Sequence, residues 1–272
     1  MSLVNTLWLE ENINKVKVKV IDSSWHMPQT NRNGHEEYKK EHIKNAIFFD
    51  LDKNSKQNTD LPHMLTDQES WSKIVSDMGI NNDDEIVVYD NSEVISSCRC
   101  WYNFIYYGHD FNKVHILDGG FEKWKLENKF TTDEIPEIKK TNYLSKENKD
   151  MVKNIDEINE NIKSKIFTVV DARSKERFEG KAPEPRKNTR SGSIGNSFCL
   201  PFKELINSDK TFIDKIEIHK KFTKINKEMN DKIVFSCGSG VTACVLALAY
   251  SLVNTKYTPT IYDGSWSEYG KI

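Results

Sequence analysis

Short apolar runs closed by polar turns alternate along this chain with stretches of helical period. Ile233-Val234-Phe235 is such a run, long enough only for a short buried strand. It leads through Ser236-Cys237-Gly238-Ser239-Gly240-Val241-Thr242 into 243–252, which is apolar almost all round. A helix enclosed in a core reads that way. Val18-Lys19-Val20-Ile21-Asp22 and Phe167-Thr168-Val169-Val170-Asp171 are further strands, and 69–78 and 101–107 carry helical spacing. Strands alternating with helices predict an α/β fold, a mainly parallel sheet with helices on both faces.

The pattern occurs twice. Val18-Lys19-Val20-Ile21-Asp22-Ser23-Ser24 is echoed by Phe167-Thr168-Val169-Val170-Asp171-Ala172-Arg173, and 42–49 by 193–200. The strand at 85–89 matches that at 232–235, and His115-Ile116-Leu117-Asp118-Gly119-Gly120-Phe121 matches Thr260-Ile261-Tyr262-Asp263-Gly264-Ser265-Trp266. Four landmarks in one order at a slowly drifting offset indicate an internal duplication. Two domains follow, over 1–135 and 161–272. Between them 131–154 is charged, contains Pro136 and shows no sustained apolar period, and the linker is expected over 136–160. The length, 272 residues, suits two such domains.

Composition narrows the partners. A formal net charge of −2 and a pI near 6.4 argue against nucleic acid. No apolar run approaches a membrane span. Five cysteines form no regular framework, which is the usage of a reducing compartment. The first twenty residues lack a secretory apolar segment and any Arg, so the chain is expected in the cytoplasm; a mitochondrial pool from a longer form stays open.

The chemistry concentrates at Cys237. A thiol between a strand end and a helix start meets backbone N–H groups that have no partner within the helix. Their dipoles favour the thiolate, and the glycines let the backbone curl around it. Cys244, inside the apolar run, is expected in the core, as are Cys98 and Cys100 where a helix should begin; no second ligand pair of zinc-like spacing joins them and His109. Laying Asp90-Asn91-Ser92 beside Ser236-Cys237-Gly238 puts Asn91 in the position of Cys237. Only the C-terminal half is therefore expected to do covalent chemistry.

With these residues in view the chain resembles the tandem-rhodanese sulfurtransferases, and within them the branch that uses 3-mercaptopyruvate. The resemblance runs end to end. It is carried by Glu41-His42-Ile43, Leu61-Pro62-His63-Met64-Leu65, Leu117-Asp118-Gly119-Gly120, Arg177-Phe178-Glu179-Gly180, Pro183-Glu184-Pro185-Arg186, Tyr262-Asp263-Gly264-Ser265-Trp266, and most specifically by Cys237-Gly238-Ser239-Gly240-Val241-Thr242. It implies two rhodanese-like domains, no cofactor and no metal. The loop Cys takes sulfur from 3-mercaptopyruvate, releases pyruvate and passes a persulfide sulfur to a thiol acceptor such as thioredoxin. By matching motif Cys237 would be the nucleophile, and Ser239, His63 and Asp52 would handle protons. Arg177 and Arg186 would bind the substrate carboxylate and keto oxygen, with Gly238, Gly240, Val241 and Thr242 around the substrate. A guanidinium fork suits a planar carboxylate; the plain alternative is surface arginines paired with local glutamates.

Some positions depart from the family pattern. Ser193-Ile194-Gly195-Asn196 replaces the usual His-Ile-Pro-Gly, Cys199 stands where Asn is common, and Trp101-Tyr102 replaces a Trp pair. Three other readings compete. A cysteine phosphatase needs an Arg shortly after its Cys to hold phosphoryl oxygens, and Val241-Thr242-Ala243-Cys244 offers none. The thiosulfate branch usually has a cation directly after the Cys, where this chain has Gly238. A non-catalytic rhodanese-like binding module would not need Cys237, both arginines and His63 intact.

Overall fold

The computed structural model describes residues 2–230 and 232–272. Contacts divide the chain into two units. The first comprises Met1–Gln57, Leu65–Asn148 and Ser208–Thr211; the second comprises Asn58–Met64, Lys149–Asn207 and Phe212–Ile272. Neither is a simple half, because 58–64 belongs with the C-terminal unit.

In the first unit the strands are β1 (Leu3–Val4), β2 (Val18–Asp22), β3 (His42–Ile43), β4 (Ala46–Phe48), β5 (Glu85–Tyr89), β6 (Val114–Leu117) and β7 (Thr131–Thr132). Its helices are α1 (Thr6–Asn12), α2 (Gly34–Lys40), α3 (Gln68–Asp77), α4 (Ser97–Tyr106) and α5 (Gly120–Leu126). A parallel sheet runs β1-β6-β5-β2-β4, and β3 and β7 form a small antiparallel pair. The central strands β5 and β2 are buried where both faces are covered: Ile86, Val87, Val88 and Tyr89 are fully enclosed, as are Val20 and Ile21. The helical spacing read at 69–78 and 101–107 becomes α3 and α4, with Trp71 and Val75 turned into the core from α3.

In the second unit β8 (Val152–Lys153), β9 (Thr168–Asp171), β10 (Phe198–Cys199), β11 (Ile233–Ser236) and β12 (Ile261–Tyr262) form another parallel sheet, ordered β8-β12-β11-β9-β10. With it come α6 (Ile155–Ser164), α7 (Lys175–Phe178), α8 (Lys215–Thr223), α9 (Ala243–Val253) and α10 (Ser265–Tyr269). Strand for strand this is the order of the first sheet, so the duplication seen in the residues is a duplication of topology. Helix α9 has no polar face over its first two turns, since Ala243 to Tyr250 are all buried. Each enclosed Leu or Val contributes about 1.5–3 kcal/mol, enough to anchor the loop that precedes it.

Of the stretch read as a linker, 136–148 joins the first unit and the chain from Lys149 joins the second. Val152 and Lys153 pair with β12, and α6 opens with a capping box in which Asn154 and Glu157 exchange side-chain and backbone bonds. The two-residue ladder of β8 leaves no period to read, and the apolar positions of α6, Ile155, Ile158 and Ile162, run past residue 160, so the expected boundary divides that helix.

Candidate active site

Strand β11 ends at Ser236, and Cys237 starts the loop that leads into α9. The backbone of Cys237 is held from the neighbouring strand's exit. Its N–H donates to Ser265 Oγ at 3.1 Å, and its carbonyl accepts from Trp266 N at 2.9 Å. Ser265 sits at a left-handed φ of 49°, and its hydroxyl donates to Tyr262 O at 2.8 Å while accepting from Cys237 N. The carbonyl of Gly238 accepts from Ser267 N. By contrast the N–H groups of Gly238, Ser239, Val241, Thr242 and Ala243 have no acceptor among the described residues. Gly240 makes the turn with φ 75°. Unmatched donors following a thiol form the anion-favouring loop expected from the residues. Cys237 itself is 2% exposed.

Two guanidinium groups converge beside it. A Cβ placed on Gly238 would lie 3.3 Å from Arg177 Nη2 and 3.5 Å from Arg186 Nη1. Arg186 also donates from Nη2 to Ser239 Oγ at 3.1 Å, and His63 Nδ1 lies 3.0 Å from the same oxygen. With Arg186 donating to Oγ, the hydroxyl proton of Ser239 is left for His63 Nδ1. His63 is 5% exposed and sits at φ 61°, an uncommon conformation for a residue with a side chain, held here with its ring against the loop.

The arginines are positioned by residues that carried no signal of their own in the sequence. Glu184 takes Arg177 in a fork, from Nε at 3.1 Å and Nη2 at 2.5 Å, and also takes Arg173 Nη1 at 2.8 Å. Arg173 in turn grips Asp171 through Nε and Nη2, donates to Gly192 O, and lies 4.3 Å over the ring of Trp266. Only folding shows that one carboxylate serves two guanidinium groups. The alternative of arginines paired with local glutamates thus describes Arg177 in part: Glu184 orients it without removing it from Gly238. Its Nη1 has no hydrogen-bond partner among the described residues.

The second unit therefore brings together Cys237, Gly238, Ser239, Arg177, Arg186 and His63, with Gly240, Val241 and Thr242 completing the loop. Asp52 belongs to the first unit, where its carboxylate accepts from Trp25 Nε1 at 3.0 Å. Its expected part in proton handling rests on the resemblance. Cys244 donates from its thiol to Gly240 O inside the core, and Cys98 and Cys100 are buried in α4. Burial pushes the Cys199 thiol up to about 12.

One expectation is corrected by sheet register. Tyr89 pairs with Asp22 and Ser236 pairs with Asp171, so the residue equivalent to Cys237 is Asp90, not Asn91. The loop bonds agree, since Phe121 N donates to Asp90 O just as Trp266 N donates to Cys237 O. Side-by-side reading slipped by one because the loop to α4 differs in length from the loop to α9, and nothing in the residues marks where strand gives way to loop. The carboxylate of Asp90 accepts from Ser92 N at 2.8 Å and from Ser97 N, in the first turn of α4, at 2.9 Å. The first unit thus carries an acid of its own where the second carries the thiol.

Comparison with known proteins agrees with this anatomy. The family "Rhodanese-like domain" matches residues 5–127 and 154–271. The chain is 37% identical to an Arabidopsis thaliana protein named thiosulfate/3-mercaptopyruvate sulfurtransferase 1, mitochondrial, over 98% of this chain and 75% of the relative. It is 33% identical to the thiosulfate sulfurtransferase of Rattus norvegicus over 98% and 91% of the two chains. Among solved structures, SseA from Escherichia coli, described among 3-mercaptopyruvate sulfotransferases, superposes with a TM-score of 0.86 at 28% identity, covering 98% of this chain and 99% of SseA.

Proposed function

Because the chain belongs to the rhodanese family, we propose that it is a sulfurtransferase that moves sulfur from 3-mercaptopyruvate to a thiol acceptor through a persulfide on Cys237. The observation that carries this reading is the approach of Arg177 and Arg186 to Gly238, the residue next to the thiol. A small α-keto acid presents a carboxylate and a keto oxygen a few atoms from its sulfur, and two guanidinium groups suit both. The thiolate of Cys237 attacks the mercapto sulfur, the carbon–sulfur bond breaks, and its electron pair leaves as the enolate of pyruvate. A guanidinium group beside the keto oxygen lowers the energy of that enolate as it forms. Ser239 and His63 supply the proton path by which the enolate becomes pyruvate. An acceptor thiolate, that of thioredoxin in this proposal, then attacks the outer sulfur and restores Cys237.

Thiosulfate is the second reading, supported by relatives whose names include it. The absence of a cation directly after Cys237 weighs toward the keto acid. The relatives' names extend to a mitochondrial protein; for this chain we place the reaction in the cytoplasm. Among the described residues no helix is long and apolar enough to cross a membrane.

The test is pyruvate release from 3-mercaptopyruvate with reduced thioredoxin, run beside Cys237→Ser, with kcat/KM for thiosulfate measured in parallel. Pyruvate formation that survives the substitution, or no gain of one sulfur atom on Cys237 after donor treatment, would defeat the reading. A larger kcat/KM for thiosulfate would move the chain to the other branch.

A further inference from the structure

The repeat supplies a template for a site in the first unit. In the second unit Asp171, Glu184 and the ring of Trp266 enclose the guanidinium of Arg173. By register Asp171 corresponds to Asp22, Arg173 to Ser24 and Trp266 to Phe121. Glu37 stands in for Glu184, since it forks Arg32 through Nε at 2.8 Å and Nη2 at 2.7 Å just as Glu184 forks Arg177. Of the two guanidinium groups that Glu184 holds, the first unit keeps one equivalent and lacks the other. In that place is a cavity of about 250 Å³ lined by Asp22, Ser24, Glu37, Asn91, Phe121 and Lys125, among others.

We propose that this cavity binds a guanidinium group, with Asp22 as its principal anchor. Asp22 is 3% exposed yet has no ion pair among the described residues, and its hydrogen bonds come from neutral donors at Ser24 and Tyr89. The other carboxylates at the cavity are already matched: Glu37 by Arg32, and Glu41 by Lys125 at 3.2 Å. Burial without a counter-ion raises the Asp22 carboxyl to about 6, the cost that a bound cation would remove. The wall is also suited to a cation, because Lys125 Nζ already stands 4.8 Å over the ring of Phe121. The volume falls below the roughly 300–1,000 Å³ of pockets that enclose whole ligands. One side-chain-sized group fits that space, and a planar fork matches a carboxylate with two parallel bonds where an ammonium does not. Such a group could be carried by a free small molecule or by an arginine of another polypeptide.

N-acetyl-arginine methylamide, its lysine counterpart and the peptide acetyl-Gly-Arg-Gly-amide should be titrated into the full chain, following the backbone amide resonances of Ser24, Asn91 and Phe121. The expected result is saturable binding of the arginine probe at least tenfold tighter than the lysine probe. Binding should be lost in Ser24→Arg, which supplies the missing side chain, and weakened at least tenfold in Asp22→Asn. Tighter binding of the peptide assigns the group to a partner polypeptide; equal binding assigns it to a small molecule. No saturation in the millimolar range, equal affinity for lysine, or binding retained in either variant that folds would overturn the proposal.

Discussion

Ser239 Oγ lies 3.0 Å from His63 Nδ1, although 176 positions separate the two residues. Arg186 reaches the same oxygen at 3.1 Å, so one hydroxyl ties the Arg186 guanidinium to the imidazole. Ser239→Ala removes that tie while leaving the loop backbone as it is. We expect kcat with 3-mercaptopyruvate to fall by about 10²–10⁴-fold, the usual range for a positioned proton-transfer group, with KM changing less. Steady-state kinetics decide it; a fall in kcat/KM carried by KM alone would mean that the hydroxyl only helps to hold Arg186.

Gly238 offers a test of the guanidinium convergence. Gly238→Ala puts a methyl group 3.3 Å from Arg177 Nη2, which must shift by a few tenths of an ångström, and in ordinary contact with Arg186 Nη1 at 3.5 Å. The expected outcome is a several-fold rise in KM for 3-mercaptopyruvate with a melting temperature close to the parent's. An unchanged KM would separate these arginines from the substrate.

Glu184 is buried and serves both Arg173 and Arg177. Glu184→Gln leaves two guanidinium groups short of their counter-charge, and removing one partner of a buried pair costs about 3–5 kcal/mol. Denaturant unfolding should show a loss of that order, together with a raised KM, because Arg177 loses its fork. Kinetics altered without any loss of stability would show that the pairing contributes little to the fold.

Asp22 predicts a pH dependence of opposite sign to that of a paired carboxylate. Burial raises its folded pKa from 3.8 to about 6. Between those values the folded state holds the proton and the unfolded chain does not, so this group adds stability as pH falls through 6 toward 4 and subtracts it at neutral pH. Asp22→Asn keeps an acceptor for Ser24 N and removes the buried charge. It should be more stable than the parent at pH 8 by on the order of 1–3 kcal/mol, an advantage that fades toward pH 4. Urea unfolding at the two pH values checks this, and an advantage independent of pH would exclude the charge as its cause.

The strands at 18–22, 85–89 and 233–236, the buried helix after Cys237 and the doubling of the whole pattern were all legible in the residues, because apolar period and small-residue loops are local properties. The edge strands Leu3–Val4 and Val152–Lys153 were not, since two residues of parallel ladder leave no period to read. Nor was the Asp90 equivalence, which only the pairing of Tyr89 with Asp22 establishes.

Along the chain, residue order alone determined the α/β repeat and the placing of a thiol between strand end and helix start, as each depends on neighbours within a few turns. Tertiary structure decided that Glu184 serves two arginines, that His63 folds with the C-terminal unit beside Ser239, and that Ser24 leaves open what Arg173 fills. Those relationships join residues distant in sequence through side-chain charge and hydrogen bonding, and such contacts leave no periodic trace in the order of amino acids.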